Sequence, residues 1–265
     1  MMSGKELNNK LNEYLKLRTA PIVLKMLKSR EELNQIPKCR RPDAEYTACQ
    51  ILAQAARLNW TIGFTAEDLF GVQCVGPFGL RNQEVWGDWS YTVGAWVETV
   101  EDSFKHQSYI QHPNVENGLY DAVAVSPLAA ERIQDPDIAI IYANPAQMIM
   151  LICGLQYKDY ERLEMTCIGE SSCADSIGKA LATGKPAITI PCFGERRYGG
   201  VNDDEMIAAM PMSYLEKAVE GVVQLSKNGL RYPIAAYGIQ NCATTGMSKF
   251  YDVDALRRKR DGIKD

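Results

Sequence analysis

The stretch "PDIAIIYANPAQMIMLICGL", residues 136–155, leaves the chain few ways to fold. Its first half, around Ile138–Ala143, is a short run rich in isoleucine and apolar on both faces, which suits a strand covered from both sides. Asn144 and Pro145 then form a helix start, a cap residue followed by proline at the first helical position. The apolar run that follows, residues 146–155, is about half of the roughly 20 residues a membrane span needs. A strand buried on both faces and followed by an apolar helix belongs in a layered α/β domain.

The same alternation runs through the chain. Residues 4–17 carry Leu7, Leu11, Leu15 and Leu17 near helical spacing, and "PIVLKML" (21–27) follows as a buried strand. "AEYTACQILAQAARL" (44–58) reads as a helix and "WTIGFT" (60–65) as a strand, with "TAED" (65–68) in capping form. A helix is expected around "VETVEDSFKHQ", and strands at "YDAVAVSPL" (120–128) and "RLEMTCIG" (162–169). "SSCADSIGKALATG" reads as a helix ended by Gly184, and "PAITIPC" as a strand; "DDEMIAAM" and "PMSYLEKAVEGVVQLSKNG" are expected as closing helices. The fold class is therefore α/β: a single domain over residues 1–230 with a mixed, largely covered β-sheet flanked by helices, and a tail over 231–265.

Charge narrows the function. A formal net charge of −4 gives no electrostatic case for nucleic acid, which calls for a basic stripe. The opening "MMSGKELNNKLNEYLKL" has no apolar core of a signal peptide, so a cytoplasmic protein without a membrane partner is expected. In a reducing compartment the eight cysteines are expected as free thiols, serving packing, redox chemistry or a metal.

Position separates them. Cys153 lies on an apolar helix and Cys167 alternates within an expected strand, both as small core hydrophobes. Cys39 reads as an incidental loop thiol, and Cys242 sits in a turn-rich tail with its role open. Cys49, Cys74, Cys173 and Cys192 stand at or near element ends, beside glycine, proline or small polar residues, where loops present ligands from a rigid scaffold. Cys173 opens a helix, whose free N–H groups favour a thiolate. None of these pairs has C-x-x-C spacing, and His106 and His112 lie in a polar stretch away from every cysteine. A Cys₂His₂ zinc site or a Cys/His catalytic pair is thus poorly supported, which leaves a Cys₄ zinc site, an iron–sulfur cluster, or no metal at all. Gln147, Arg196 and Arg197 are candidate cofactor-binding residues. "GERRYGG" has the glycines and arginines of an anion cradle, and Gln147 is the one residue of "NPAQ" that capping does not explain.

Three strings carry a resemblance: "ACQILAQAARL" with "FTAEDLFGVQCVGPFGL", "AVAVSPL…PDIAIIYANPAQMIMLI", and "SCADSIGKALATGKPAITIPCFGERR". In these the chain, from about residue 5 to about 225, resembles the family called domain of unknown function 169, an archaeal conserved-region family. The family's cysteine pattern falls here on Cys49, Cys74, Cys173 and Cys192, which implies a thiolate site, read as holding a four-iron four-sulfur (4Fe-4S) cluster. Two departures stand out. Glu195 occupies a position where some relatives carry a further cysteine, and the tail with Cys242 has no counterpart.

The expectation is an iron–sulfur protein of an anaerobe, with Arg196 offsetting cluster charge and Trp86, Trp89 and Tyr91 shielding it. It would transfer electrons to a redox partner protein or activate a small-molecule substrate. Its rivals are a Cys₄ zinc structural protein, and a metal-free enzyme or small-anion-binding protein using Cys173 with Arg196 and Arg197. Exposed aromatics would suit a homo-oligomer interface.

Overall fold

A computed structural model of the chain describes residues 2–70, 74–80, 92–110, 115–236 and 258–262. Trp86, Trp89, Tyr91, His112 and Cys242 lie outside them. The chain divides into two compact units, Met1–Pro233 and Ile234–Asp265. Of the second, residues 258–260 form a helical turn.

The first unit is built on a seven-stranded mixed sheet. Its strands are β1 (Ile22–Leu27), β2 (Cys39–Arg40), β3 (Thr61–Phe64), β4 (Ala122–Pro127), β5 (Ile138–Ala143), β6 (Ala187–Thr189) and β7 (Met206–Pro211), in the order β2-β3-β4-β1-β5-β7-β6. All neighbours are antiparallel except β2 and β3. The middle strand β1 pairs with β4 in the register Leu24↔Val125 and with β5 through Val23↔Ala139.

Helices cover both faces, and the pleat decides which side chain meets which layer. Ile22, Leu24 and Met26 join one core with Ile51, Leu52 and Ala55 of α2 (Ala48–Leu58). Val23 and Leu27 point the other way. They meet Leu7 and Leu11 of α1 (Gly4–Leu15), together with helices α4 (Pro145–Leu155) and α7 (Met212–Lys227). Helix α3 (Val100–Ile110) lies in the connection before β4.

Two segments depart from the expected elements. "DDEMIAAM" is not a helix: Met206–Pro211 forms β7, paired along its length with β5. Its alanines favour a helix in isolation, but sheet pairing on both edges and burial of Ile207–Met210 override that preference. "RLEMTCIG" is not a strand either; it contributes one isolated bridge, Met165↔Ile188, and Cys167 is exposed rather than core. Beyond its one bridge to the edge strand β6 the run has no strand neighbour, and only Leu163 of it packs against the core.

Gln147 has a job inside this scaffold. Its Nε2 donates to the carbonyls of Leu15 (2.9 Å) and Lys16 (3.0 Å), closing the C-terminal end of α1. Its Oε1 accepts from the Asn144 N–H at 2.8 Å, completing a reciprocal cap of α4. The side chain is 2% exposed. Gln147→Leu leaves two helix-end carbonyls without a donor and is expected to cost about 2 kcal/mol. The urea midpoint should fall while any bound metal is retained.

Candidate functional site

Four distant segments of the chain bring their cysteines to one place. Cys49 sits in the first turn of α2, behind the cap residue Thr47, whose hydroxyl lies 3.1 Å from Cys49 Sγ. Cys74 belongs to the turn before Gly76–Phe78, and its Sγ accepts the Ala48 N–H at 3.4 Å, so this sulfur rests on the N-terminus of α2. Cys173 enters a helix whose next residues, Ala174–Gly178, form a π-helical turn leading into α5 (Lys179–Thr183). Ser171 Oγ is 3.3 Å from Cys173 Sγ. Cys192 follows β6 and caps the short helix α6 (Phe193–Arg197), its Sγ accepting the Glu195 N–H at 3.5 Å.

Further bonds tie these segments together. The Cys192 N–H donates to Ser172 Oγ (3.0 Å) and the Phe193 N–H to Gly169 O (3.0 Å). Cys49 Sγ donates to Gly194 O at 3.5 Å. Gly199 makes a further close approach: a Cβ there would stand 2.7 Å from Glu195 O and 3.2 Å from the Cys49 Cβ. Any larger residue would push α2 and α6 apart.

All four thiols line one cavity of about 300 Å³. Glu170 and Glu195 share its wall, and Phe70, Trp96, Phe193 and Tyr198 supply aromatic surface. Glu195 is 1% exposed; its Oε2 accepts from the Tyr142 hydroxyl at 3.2 Å, while its Oε1 has no hydrogen-bond partner. Burial pushes the Glu195 carboxyl up to about 7, with Tyr142 and Arg196 pulling it partly back. Glu170 is likewise raised to about 7 by burial. Its Oε2 comes within 3.2 Å of His106 Nε2 without an aligned hydrogen bond. Trp96 stacks on His106 and meets Phe193 edge-to-face.

The protein's own surroundings favour the protonated thiol at Cys49, Cys74 and Cys173. Burial, reinforced by Cys192 and Glu195, pushes Cys74 up to about 12. Burial first, then the charge of Glu195, pushes Cys49 higher still. Cys173 is raised well above its ordinary value by burial, with Cys74 and Cys192 adding to it. A nucleophilic cysteine needs the reverse, a neighbourhood that favours thiolate. A metal supplies such a neighbourhood, because binding it displaces the thiol protons.

The geometry bears on which metal fits. Among the described residues no group of three or more His, Cys, Asp or Glu is arranged to hold a single ion. A Cys₄ zinc site needs four sulfurs closed on one point, each about 2.3 Å from the metal. Here all four cysteines line one cavity. Backbone N–H donors to Cys74 and Cys192 suit sulfurs that carry negative charge.

The other expected site residues lie apart from this cavity. Arg196 donates to Asn202 O at 2.7 Å and faces Asp203, and Arg197 is exposed. Neither lines the cavity wall, although the charge of Arg196 is felt at Glu195. Gln147 is engaged at the end of α1. Sequence reasoning missed Glu170 and Tyr142, noted Glu195 only as a departure from the family's cysteine pattern, and set His106 aside. The one available signal was Glu195 three positions after Cys192, the spacing at which a capping side chain meets the N–H of the new helix.

Scaffold and site together define a layered α/β protein with a thiol-lined cavity on one face of its sheet. The chain belongs to the uncharacterised archaeal conserved-region family, domain of unknown function 169, whose profile matches residues 10–221. It is similar to an uncharacterised protein of Methanocaldococcus jannaschii, 26% identical over 218 residues, which cover 80% of this chain and 91% of the relative. No solved structure matches the chain. No helix among the described residues is long and apolar enough to cross a membrane.

Proposed function

We propose that this chain is an iron–sulfur protein whose 4Fe-4S cluster is held by Cys49, Cys74, Cys173 and Cys192. The observation that carries the reading is the convergence of four cysteines, from segments far apart in sequence, on the wall of a single cavity. When bound, such a cluster supplies one-electron chemistry at a potential set by charge, hydrogen bonds to sulfur and exposure. The chain's own residues set those conditions. The N–H groups of Ala48 and Glu195 donate to sulfur, Thr47 and Ser171 place hydroxyls beside it, and Phe70, Trp96, Phe193 and Tyr198 line the same cavity. The work served is electron transfer with a redox partner protein, or redox activation of a small molecule, in an anoxic cell.

Purification under strict anoxia tests this. A brown protein with broad visible absorbance and about four irons and four sulfides per chain is the expected result. Stoichiometric zinc without colour would move the reading to a structural Cys₄ site. A colourless chain with neither metal, after reconstitution with iron and sulfide, would overturn both.

A further inference from the structure

The four sulfurs of the cavity are not equally provided for. A sulfur that binds metal gives up its proton, and from then on it can only accept hydrogen bonds. Cys74 Sγ accepts the Ala48 N–H (3.4 Å) and Cys192 Sγ the Glu195 N–H (3.5 Å), backbone donors held in place by α2 and α6. Cys173 Sγ has Ser171 Oγ at 3.3 Å, and Ser171 is 1% exposed with no other side-chain hydrogen bond among the described residues. As a thiolate, Cys173 receives that hydroxyl proton undivided.

Cys49 has no such donor of its own among the described residues. Its Sγ lies 3.5 Å from the Gly194 carbonyl, to which the thiol donates. That carbonyl also accepts the Tyr198 N–H at 2.8 Å, within the turn of α6, and is not free to swing away. Without its proton, Cys49 would set one acceptor against another. Thr47 Oγ carries a single proton and stands 3.1 Å from Cys49 Sγ and 3.1 Å from Gln50 Oε1, so two acceptors compete for it. The N-terminus of α2 adds little, since the Ala48 N–H serves Cys74 and the Gln50 N–H serves Thr47. Hydrogen bonds to a charged acceptor are the strong ones, so the divided donor weakens Cys49 as a ligand relative to the other three. Cys49 is also only partly buried, whereas Cys74 and Cys192 are buried.

We infer that Cys49 is the exchangeable ligand of the four, giving up its iron first while Cys74, Cys173 and Cys192 keep theirs. This rests on the iron–sulfur reading above and adds a regulation to it. A one-electron oxidant strips the site of one iron at a defined corner, and ferrous iron with an electron restores it. With ferricyanide as oxidant, one electron passes to it and gives ferrocyanide. One ferrous ion leaves, three irons and four sulfides stay, and the Cys49 thiolate takes up a proton.

The test is stepwise oxidation of the iron-loaded, full-length chain with ferricyanide and EDTA under anoxia. Each step is quenched with iodoacetamide and read by peptide mass spectrometry, iron assay and electron paramagnetic resonance. Labelling is expressed relative to the metal-free folded chain, so that differences in access divide out. When iron has fallen from about four per chain to about three, a three-iron signal should be present. Cys49 should then carry about fivefold more label, or greater, than any of the other three, the effect of about one hydrogen bond. Ser171→Ala removes the donor at Cys173 and should raise its label to that of Cys49. Gln50→Ala leaves the Thr47 proton to Cys49 and should slow release there; either variant serves if circular dichroism shows that the other has not folded. Equal labelling of all four, first release at Cys74, Cys173 or Cys192, or an unchanged order in the folded variants overturns the inference and leaves the cluster standing. A chain that holds no iron before oxidation removes the iron–sulfur reading, and this inference with it.

Discussion

Replacing Cys49, Cys74, Cys173 or Cys192 singly by alanine is expected to strip the brown colour from the anoxically purified protein. Iron should fall from about four per chain to near zero, or to a residual three-iron species. Cys167→Ala and Cys153→Ala should leave colour and iron unchanged, since neither lines the cavity. The contrast between the two groups is the decisive reading, measured by visible absorbance and iron assay on samples matched by circular dichroism. Equal loss across all six would mean that iron is held non-specifically. The fold should survive these substitutions, because Cys49 and Cys173 are each only partly buried in a wall that α2 and the sheet hold independently. Cys74, packed in the core beside α2, should cost the most stability of the four.

The second large effect lies on the opposite face of the sheet. Helices α4 and α7 cross at Gly154 and Gly221, where the backbones touch. A Cβ on Gly221 would fall against the Gly154 carbonyl and 2.7 Å from its Cα, and one on Gly154 would meet the Ala218 carbonyl. Backbone cannot swing aside as a side chain can. Gly221→Val must therefore part the two helices and open the core that Leu151, Leu155, Ala218 and Val222 fill. A loss of about 3 kcal/mol, at the upper end for overpacking, is expected. The urea midpoint should drop sharply while iron per folded chain stays constant. Loss of iron in a fully folded variant would show that the two faces of the sheet are coupled.

How much of this could be read from residues alone differs by element. The "PDIAIIYANPAQMIMLI" segment is nearly transparent: β5, the Asn144 cap and α4 all appear as the local pattern dictates. Local pattern and tertiary burial agree there. At "DDEMIAAM" they conflict. Alanine and methionine carry little strand preference, and only the neighbours β5 and β6 make the segment β7. The four cavity cysteines were legible because element ends are recognisable from glycine, proline and capping residues. Glu170 and Tyr142 were not. Their importance depends on burial against one particular partner, Glu170 beside His106 and Tyr142 under Glu195, and such pairs span tens of residues with no pattern between them. His106 was discounted by its distance along the chain from any cysteine, a measure that a folded chain does not respect.

The wide spacing of the four cysteines has a consequence for how the protein is made. During synthesis Cys192 emerges long after Cys49 and Cys74. Cys49 and Cys74 can meet early, through the bond of Ala48 to Cys74 Sγ. The other half of the site waits for the turn at Ser172 to grip Cys192. That turn is set by β6, which takes its place only beside β7, a strand that ends at residue 211. A truncated or stalled product therefore presents at most two of the four thiols in place. Assembly of the four-thiol wall is in this way tied to completion of the sheet.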